Sequence, residues 1–126
     1  MPSPAGRTIL NHLVQYKELD RTFSALSDGT RRAILDRLGR GPASISELAA
    51  PFGMSLTGLK KHVRVLEEAR LVTTEKVGRT RRCRLGPDHV DQMEDAVRWI
   101  ELHRQRWTRR LDELAAYVER TRGGEP

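Results

Sequence analysis

The chain has 126 residues, with 23 basic and 17 acidic side chains, a net charge of +6 and one cysteine. This length suits one domain with a modest core, and a single cysteine excludes an internal disulfide framework and fits a reducing compartment. No apolar run approaches the roughly 20 residues that a membrane helix needs, and residues 1–10 carry no secretion signal, so we expect a cytoplasmic protein without membrane contact.

The positive charge is concentrated in one quarter of the chain. Residues 55–85 contain 9 basic and 3 acidic side chains, whereas residues 1–54 contain 7 and 5, and residues 86–126 contain 7 and 9. Charge confined to one segment predicts a surface that meets a polyanion. The apolar residues of this segment are needed in a core, which favours nucleic acid over a membrane. The segment has no aromatic ring on which unpaired bases could stack, so double-stranded DNA is favoured.

The first part of the chain predicts helices. Residues 8–17 and 18–27 indicate two short helices or one broken helix, and residues 1–18 are interpreted as an N-terminal helical arm. The next helix begins at Ser27 or Asp28, both suitable N-caps, and ends at the sequence GRGP, which terminates helices.

Two short helices joined by a glycine-containing turn follow. Ser44 and Glu47 have the spacing of a capping box, in which each side chain bonds the other residue's backbone amide. Pro51 and Gly53 end this helix after about two turns, and Ser55 caps the next. One buried face is predicted for the second helix, formed by Leu56, Leu59, Val63 and Leu66. The pair predicts a helix-turn-helix.

A basic β-hairpin follows the second helix. Residues 71–77 are rich in β-branched side chains, GRT forms the turn, and residues 81–85 form the returning strand. Its basic side chains are Lys76, Arg79, Arg81, Arg82 and Arg84. This order of elements predicts a mainly α fold with a small β-hairpin wing (α+β), a winged helix-turn-helix.

Cys83, in the returning strand, has two interpretations. Strand alternation places it on one face with Arg81 and opposite Arg82 and Arg84, and which face points outward stays open. A thiol near arginines would have its thiolate favoured, as in a redox sensor. A lone cysteine without a resolving partner is more typical of a small strand residue.

A long helix is predicted after Pro87, over residues 87–121, with a disordered tail at 122–126. The helix carries a seam in which steps of four and three residues alternate, made of Met93, Val97, Ile100, Arg104, Trp107, Leu111, Leu114 and Val118. Roughly 33 residues of helix would measure about 50 Å, longer than the small domain beside it. A second copy of the chain is therefore expected to cover the seam, with a helix folded back onto its own domain as the alternative. The predicted dimer interface comprises Leu10, Leu13, Met93, Val97, Ile100, Trp107, Leu111 and Leu114.

The basic segment supplies the candidate DNA-binding residues. A helix in the major groove leads with its N-terminal turns, so Thr57, Lys60 and Lys61 are predicted to reach base edges, with Arg64 on a phosphate. Gly58 would let the backbone approach DNA closely. Wing arginines are predicted to straddle the backbone or enter the minor groove. The complete set is Ser55, Thr57, Gly58, Lys60, Lys61, His62, Arg64, Lys76, Arg79, Thr80, Arg81 and Arg82. In this set His62 either donates to a phosphate or packs.

Residues 19–86 resemble the ArsR-type bacterial winged-helix repressors. The resemblance rests on DGTRRAIL, ISELA, KHVRVLEEARLV and a glycine-arginine wing, and the helix that follows resembles the family's dimerising helix. It implies a homodimeric repressor that binds a near-palindromic operator, often that of its own or a neighbouring operon. Many relatives release DNA when a metal or another inducer binds, so an unidentified small-molecule inducer stays open as a further partner.

The metal-sensing members of this family differ from the chain. They carry cysteines in the first helix of the motif, where this chain has Ala49 and Ala50. On the long helix, Glu101 and His103 are two residues apart and do not share a face. We expect no metal site and no cofactor. Trp99 and Trp107 are interpreted as interface packing, with a small-molecule pocket between the dimer helices as the alternative.

Other functions have less support in the sequence. An enzyme is not expected, because no phosphate-binding loop, no nucleophile with a paired histidine and no carboxylate pair occurs. The alternative is a winged-helix module that docks to an acidic partner protein, since the charge of residues 55–85 suits both functions. Thr57 and Gly58 favour groove readout, because an acidic docking site would gain nothing from them.

Overall fold

The computed structural model describes residues 16–123. Leu10 and Leu13, predicted at the dimer interface, lie outside these residues. In chain order the elements are α1 (residues 16–26), α2 (Gly29–Leu38), β1 (Ala43–Ser44), α3 (Ile45–Ala49) with a 3-10 turn (Ala50–Phe52), α4 (Leu56–Glu68), β2 (Val72–Val77), β3 (Thr80–Leu85) and α5 (His89–Gly123). The order confirms the predicted winged helix-turn-helix with its long C-terminal helix.

Local capping signals set the starts of the helices. Asp28, and not Ser27, caps α2, because its carboxylate accepts the backbone N–H of Arg31 at 3.1 Å. Ser44 caps α3 by accepting the N–H of Glu47 at 3.1 Å. The other half of the predicted capping box does not form, since the Glu47 carboxylate lies 3.8 Å from the Arg37 guanidinium instead.

Helix α1 runs without interruption through residues 16–26, so the predicted break between residues 17 and 18 does not occur. The described end of the N-terminal arm is therefore part of the same helix as the start of the DNA-binding core. On its inner face Thr22 and Ala25 are fully buried.

The sheet has three antiparallel strands in the order β1-β3-β2. Strands β2 and β3 form the predicted hairpin, with Val72 opposite Leu85 and Val77 opposite Thr80. Gly78 makes the tight turn between them with a φ of 64°, a conformation that favours glycine. The two-residue strand β1 was not predicted, because a segment that short has no periodicity; it forms by pairing Ala43 with Cys83.

The core is closed by the apolar face of α4. Leu59, Val63 and Leu66 are buried among side chains of α2, α3 and the sheet. The prediction that Leu56 shares this face is wrong, since its side chain is 48% exposed. Leu56 is the first residue of α4, so it lies at the end of the helix, before the turns whose side chains are buried.

Helix α5 extends over 35 residues. It begins at His89, and it continues to Gly123, so two residues of the predicted disordered tail are helical. Its first turns pack on the domain, where Gln92 and Ala96 are buried. These turns therefore fold back onto their own domain, as in the alternative to a second copy. Within residues 16–123, no helix combines the length and the apolar character that crossing a bilayer requires.

Gly86 connects β3 to α5, and its N–H donates to the carbonyl of Leu71 at 3.0 Å. A Cβ there would stand 2.9 Å from the carbonyl oxygen of Arg70, so Gly86→Ala must push two backbone segments apart. We expect it to lower the free energy of unfolding by about 1–3 kcal/mol in urea denaturation. Gly29→Ala is the matched control: its Cβ would meet only the Arg32 side chain, at 3.7 Å. The control should retain or raise stability, and equal stability of both variants would contradict this account.

Candidate nucleic-acid interface

Exposed basic and polar side chains lie along α4 and on both faces of the hairpin, and together they are called here the basic surface. Its members are Thr57, Lys60, Lys61 and Arg64 on α4, and Lys76, Arg79, Thr80, Arg81 and Arg82 on the hairpin, all of them exposed. The two elements border a groove of about 610 Å³, into which Lys60, Arg64 and Arg81 are brought together. Residues separated by up to 21 positions in sequence thus line one groove, in which the carboxylates of Glu67 and Glu68 accompany the three cations.

Ser55 and Gly58 shape the start of α4. The Ser55 hydroxyl oxygen accepts the N–H of Gly58 at 3.1 Å, as the predicted N-cap. A Cβ on Gly58 would lie 3.2 Å from both the Ser55 Oγ and the Met54 Cγ. A glycine at position 58 therefore leaves room for the Ser55 cap and for the Met54 side chain. This packing within the chain adds to the predicted close approach to DNA.

Arg81 is held on the side of the hairpin that faces α4. Its Nε donates to the Thr74 hydroxyl at 3.2 Å, and that hydroxyl donates to the Glu67 carboxylate at 3.2 Å. Thr74 and Glu67 were not predicted from the sequence to take part in this site. Strand alternation could have indicated Thr74, because it lies opposite Cys83, and Cys83 shares its face of β3 with Arg81.

Strand β3 also settles the orientation that the sequence left open. Cys83 is fully buried and points into the core, so Arg82 and Arg84 lie on the opposite, exposed face. In the strand register, Glu75 of β2 lies opposite Arg82. The wing therefore presents Arg82 and Arg81 on different faces, Arg82 outward and Arg81 toward α4.

His62 lies on α4 beside the basic surface but is partly buried. Its Nδ1 is 3.2 Å from the Arg31 Nη1 and 3.8 Å from the Asp28 carboxylate. These contacts support the packing interpretation for one ring nitrogen. The backbone N–H of Arg31 also holds the pKa of Asp28 below its usual range, since it bonds to the charged carboxylate.

The distal part of α5 carries an exposed apolar stripe, formed by Val97, Ile100, Trp107, Leu111, Leu114 and Val118. Met93, predicted with them, is partly buried against the core of its own chain. Arg104 interrupts the stripe and bonds to Glu101 one turn earlier. This pairing lowers the pKa of Glu101 and raises the pKa of Arg104.

The two tryptophans of α5 pack differently. Trp99 meets Phe23 of α1 edge to face, with ring centroids 5.7 Å apart, and stacks on His103 at 4.9 Å. Trp107 donates from its indole nitrogen to the His103 Nε2 at 3.2 Å. Trp99 therefore packs on α1 of its own chain. Across residues 16–123, no three histidine, cysteine or acidic side chains cluster as a metal site would require.

Comparisons with known proteins agree with this arrangement. Residues 26–75 match the family model of a helix-turn-helix domain. The chain is 36% identical over 104 residues to the HTH-type transcriptional regulator Rv2034 of Mycobacterium tuberculosis, covering 82% of this chain and 92% of the relative. With the arsenical resistance operon repressor of Staphylococcus xylosus it shares 35% identity over 78 residues, 62% of this chain and 75% of the relative. An ArsR-like transcriptional regulator from Rhodococcus sp. RHA1 has a similar structure, with a TM-score of 0.63 and 37% identity over 79% of this chain and 91% of that one.

The environment of Cys83 supports the structural interpretation of this residue. Burial raises the pKa of its thiol to about 11, and the Glu67 carboxylate adds to the rise, which outweighs the opposite effect of Arg81. A thiol that stays protonated and buried is a poor nucleophile. The predicted activation of the thiolate by neighbouring arginines does not occur in this geometry.

The raised pKa of Cys83 predicts a loss of stability at alkaline pH. Near pH 8 the thiol is mostly protonated in both the folded and the unfolded chain, and as the pH rises toward 11 the unfolded chain loses the proton before the folded chain does. Wild type should therefore lose on the order of 2 kcal/mol more stability between pH 8 and pH 11 than Cys83→Ala does. Urea denaturation of both proteins across this range measures the difference. Parallel stability curves would contradict it.

Proposed function

Because this chain belongs to the ArsR-type winged helix-turn-helix transcriptional regulators, we propose that it is a homodimeric repressor that binds a near-palindromic operator in double-stranded DNA. The observation that carries the proposal is the basic surface, whose exposed cations lie on α4 and on the hairpin; Lys60, Arg64 and Arg81 border one groove together with Glu67 and Glu68. A DNA backbone carries regularly spaced negative charge, and exposed cations on two neighbouring elements suit it.

In this proposal α4 enters the major groove with its first turns leading. Thr57, Lys60 and Lys61 reach base edges, and Arg64 contacts a phosphate. The hairpin lies against the backbone or the minor groove through Arg79 and its neighbours Lys76, Thr80 and Arg82. Arg81 faces the groove beside α4, which favours a phosphate between the helix and the wing as its partner.

A second copy of the chain is the proposed cover for the apolar stripe. The stripe continues from Val97 to Val118 with side chains that are about half exposed or more. Exposed apolar side chains grouped along one face of a helix typically mark a protein interface, and the alternating steps of three and four residues suit a second helix. Two-fold symmetry would then present two α4 helices to two half-sites. Repression of its own or a neighbouring operon is part of the proposal, in line with the relative named an operon repressor.

Selection from a pool of random duplexes tests the proposal. The protein should enrich one near-palindromic sequence and, in fluorescence anisotropy at physiological salt, prefer it over a scrambled duplex by about 10³-fold or more. Lys61→Ala should reduce this preference by roughly 5- to 100-fold, the range for one base contact. Arg79→Ala should weaken binding to both duplexes alike and reduce the salt dependence by about one phosphate contact. Arg109→Ala, on the distal part of α5, is the control and should change neither duplex.

Two outcomes would contradict the proposed function. Equal and steeply salt-dependent binding to both duplexes would mean general attraction of charges without readout. An absence of binding to either duplex would favour the docking of an acidic partner protein at the basic surface.

The dimer is tested separately at Leu111, in the middle of the apolar stripe. Leu111→Asp places a charge in the proposed interface and should raise the dimer dissociation constant at least about 30-fold, as at an interface hot spot. Sedimentation equilibrium measures this constant. Arg109→Asp, two positions earlier and on the other side of the helix, should leave it near the wild-type value. A Leu111→Asp protein as dimeric as wild type would rule out the stripe as the interface.

A further inference from the structure

Arg31 joins three helices at one point. Its Nε donates to the carbonyl of Ala25 at 2.9 Å and its Nη2 to the carbonyl of Ser24 at 2.8 Å, both in the last turn of α1. Its Nη1 lies 3.2 Å from the Nδ1 of His62 on α4, while Arg31 itself belongs to α2. These residues with Asp28 are called here the Arg31 junction. The basic surface on α4 is thereby connected to the scaffold by directional hydrogen bonds.

In a neutral His62 ring, the contact with Arg31 selects the tautomer. A guanidinium is always charged in proteins and carries only donors, so the Nδ1 of His62 must accept. A neutral imidazole has one acceptor and one N–H, and the proton must therefore be on Nε2. The Asp28 carboxylate accepts the backbone N–H of Arg31 at 3.1 Å, and at 3.8 Å from Nδ1 it is too distant to bond to the ring. The junction leaves His62 with one donor, its Nε2–H.

We propose that Arg31 is a positioning residue for DNA recognition, which fixes the rotation of α4 and holds His62 as an Nε2–H donor for a DNA phosphate. The inference rests on the proposed function. Apolar packing of Leu59 and Val63 holds α4 against the core but is non-directional, whereas a hydrogen bond depends on angle and distance. A bond at His62 therefore sets the direction of its neighbour Lys61 toward a base edge.

Two substitutions of His62 separate the two roles of its ring. His62→Asn keeps a polar atom near the position of Nδ1 and removes the Nε2–H donor. His62→Gln keeps an amide near the position of Nε2 and removes the acceptor for Arg31. Combined with Arg31→Met in the free protein, they form two double-mutant cycles measured by urea denaturation. We expect Arg31→Met to reduce the folding equilibrium constant at least about fivefold more in wild type and in His62→Asn than in His62→Gln.

The same variants are then compared on the enriched and the scrambled duplex. His62→Asn should weaken binding to both about equally, by roughly 3- to 10-fold, because one phosphate contact is lost. Arg31→Met and His62→Gln should reduce the preference for the enriched duplex at least about fivefold. Arg32→Met is the matched control, since Arg32 also belongs to α2 and donates to an α1 carbonyl, that of Leu26, at 2.7 Å. The preference of Arg32→Met for the enriched duplex should equal that of wild type, even if this variant is less stable.

Equal loss of preference in Arg31→Met and Arg32→Met, or no loss in either, would overturn the positioning role, because Arg31 would then act through stability alone. Equal effects of Arg31→Met in all three His62 backgrounds would overturn the assigned hydrogen bond. Failure of the proposed function is recognised separately. In that case wild type prefers no duplex, while the coupling between Arg31 and His62 in the free protein persists.

Discussion

Burial of one face of α4 is the constraint on which the rest of the structure depends. Leu59 and Leu66 are fully buried and Val63 nearly so, and each such side chain contributes about 1.5–3 kcal/mol relative to exposure. Once this face is fixed against α2, α3 and the sheet, the opposite face of a 3.6-residue helix must face solvent. Lys60, Lys61 and Arg64 are exposed for that reason alone. The core and the α4 part of the basic surface are two sides of one short helix.

Polar contacts hold α4 and the residues just after it against neighbouring elements. Toward α2, His62 meets Arg31 at the Arg31 junction. Beyond the C-terminus of α4, Arg70 adopts a φ of 60°, and its guanidinium lies 2.7 Å from Glu18 of α1 and 3.7 Å from Asp88, just before α5. Exposed ion pairs contribute little to stability individually. Here they connect the C-terminal end of α4 to α1 and to the start of α5, the helix that carries the proposed dimer interface.

Helix α5 divides into two parts with different roles. The turns around Gln92 and Ala96 complete the core of their own domain, and Trp99 extends that packing to Phe23 of α1. Beyond them the apolar stripe is exposed along a helix too long for the domain to cover. A dimer formed through such a helix would be rigidly connected to the DNA-binding core, because the same helix takes part in both.

The sequence by itself determined the elements and most of the basic surface. Asp28, one of two predicted candidates, caps α2, Ser55 caps α4 as predicted, and the hairpin and the long helix lie close to their predicted positions. Caps, turns and periodicity act over a few residues and are readable from neighbours. Only the tertiary structure decided the strand at Ala43–Ser44, the exposure of Leu56 and the turn of Arg81 toward α4. Each of these depends on residues distant in sequence, whose proximity exists only after the helices and the sheet have packed.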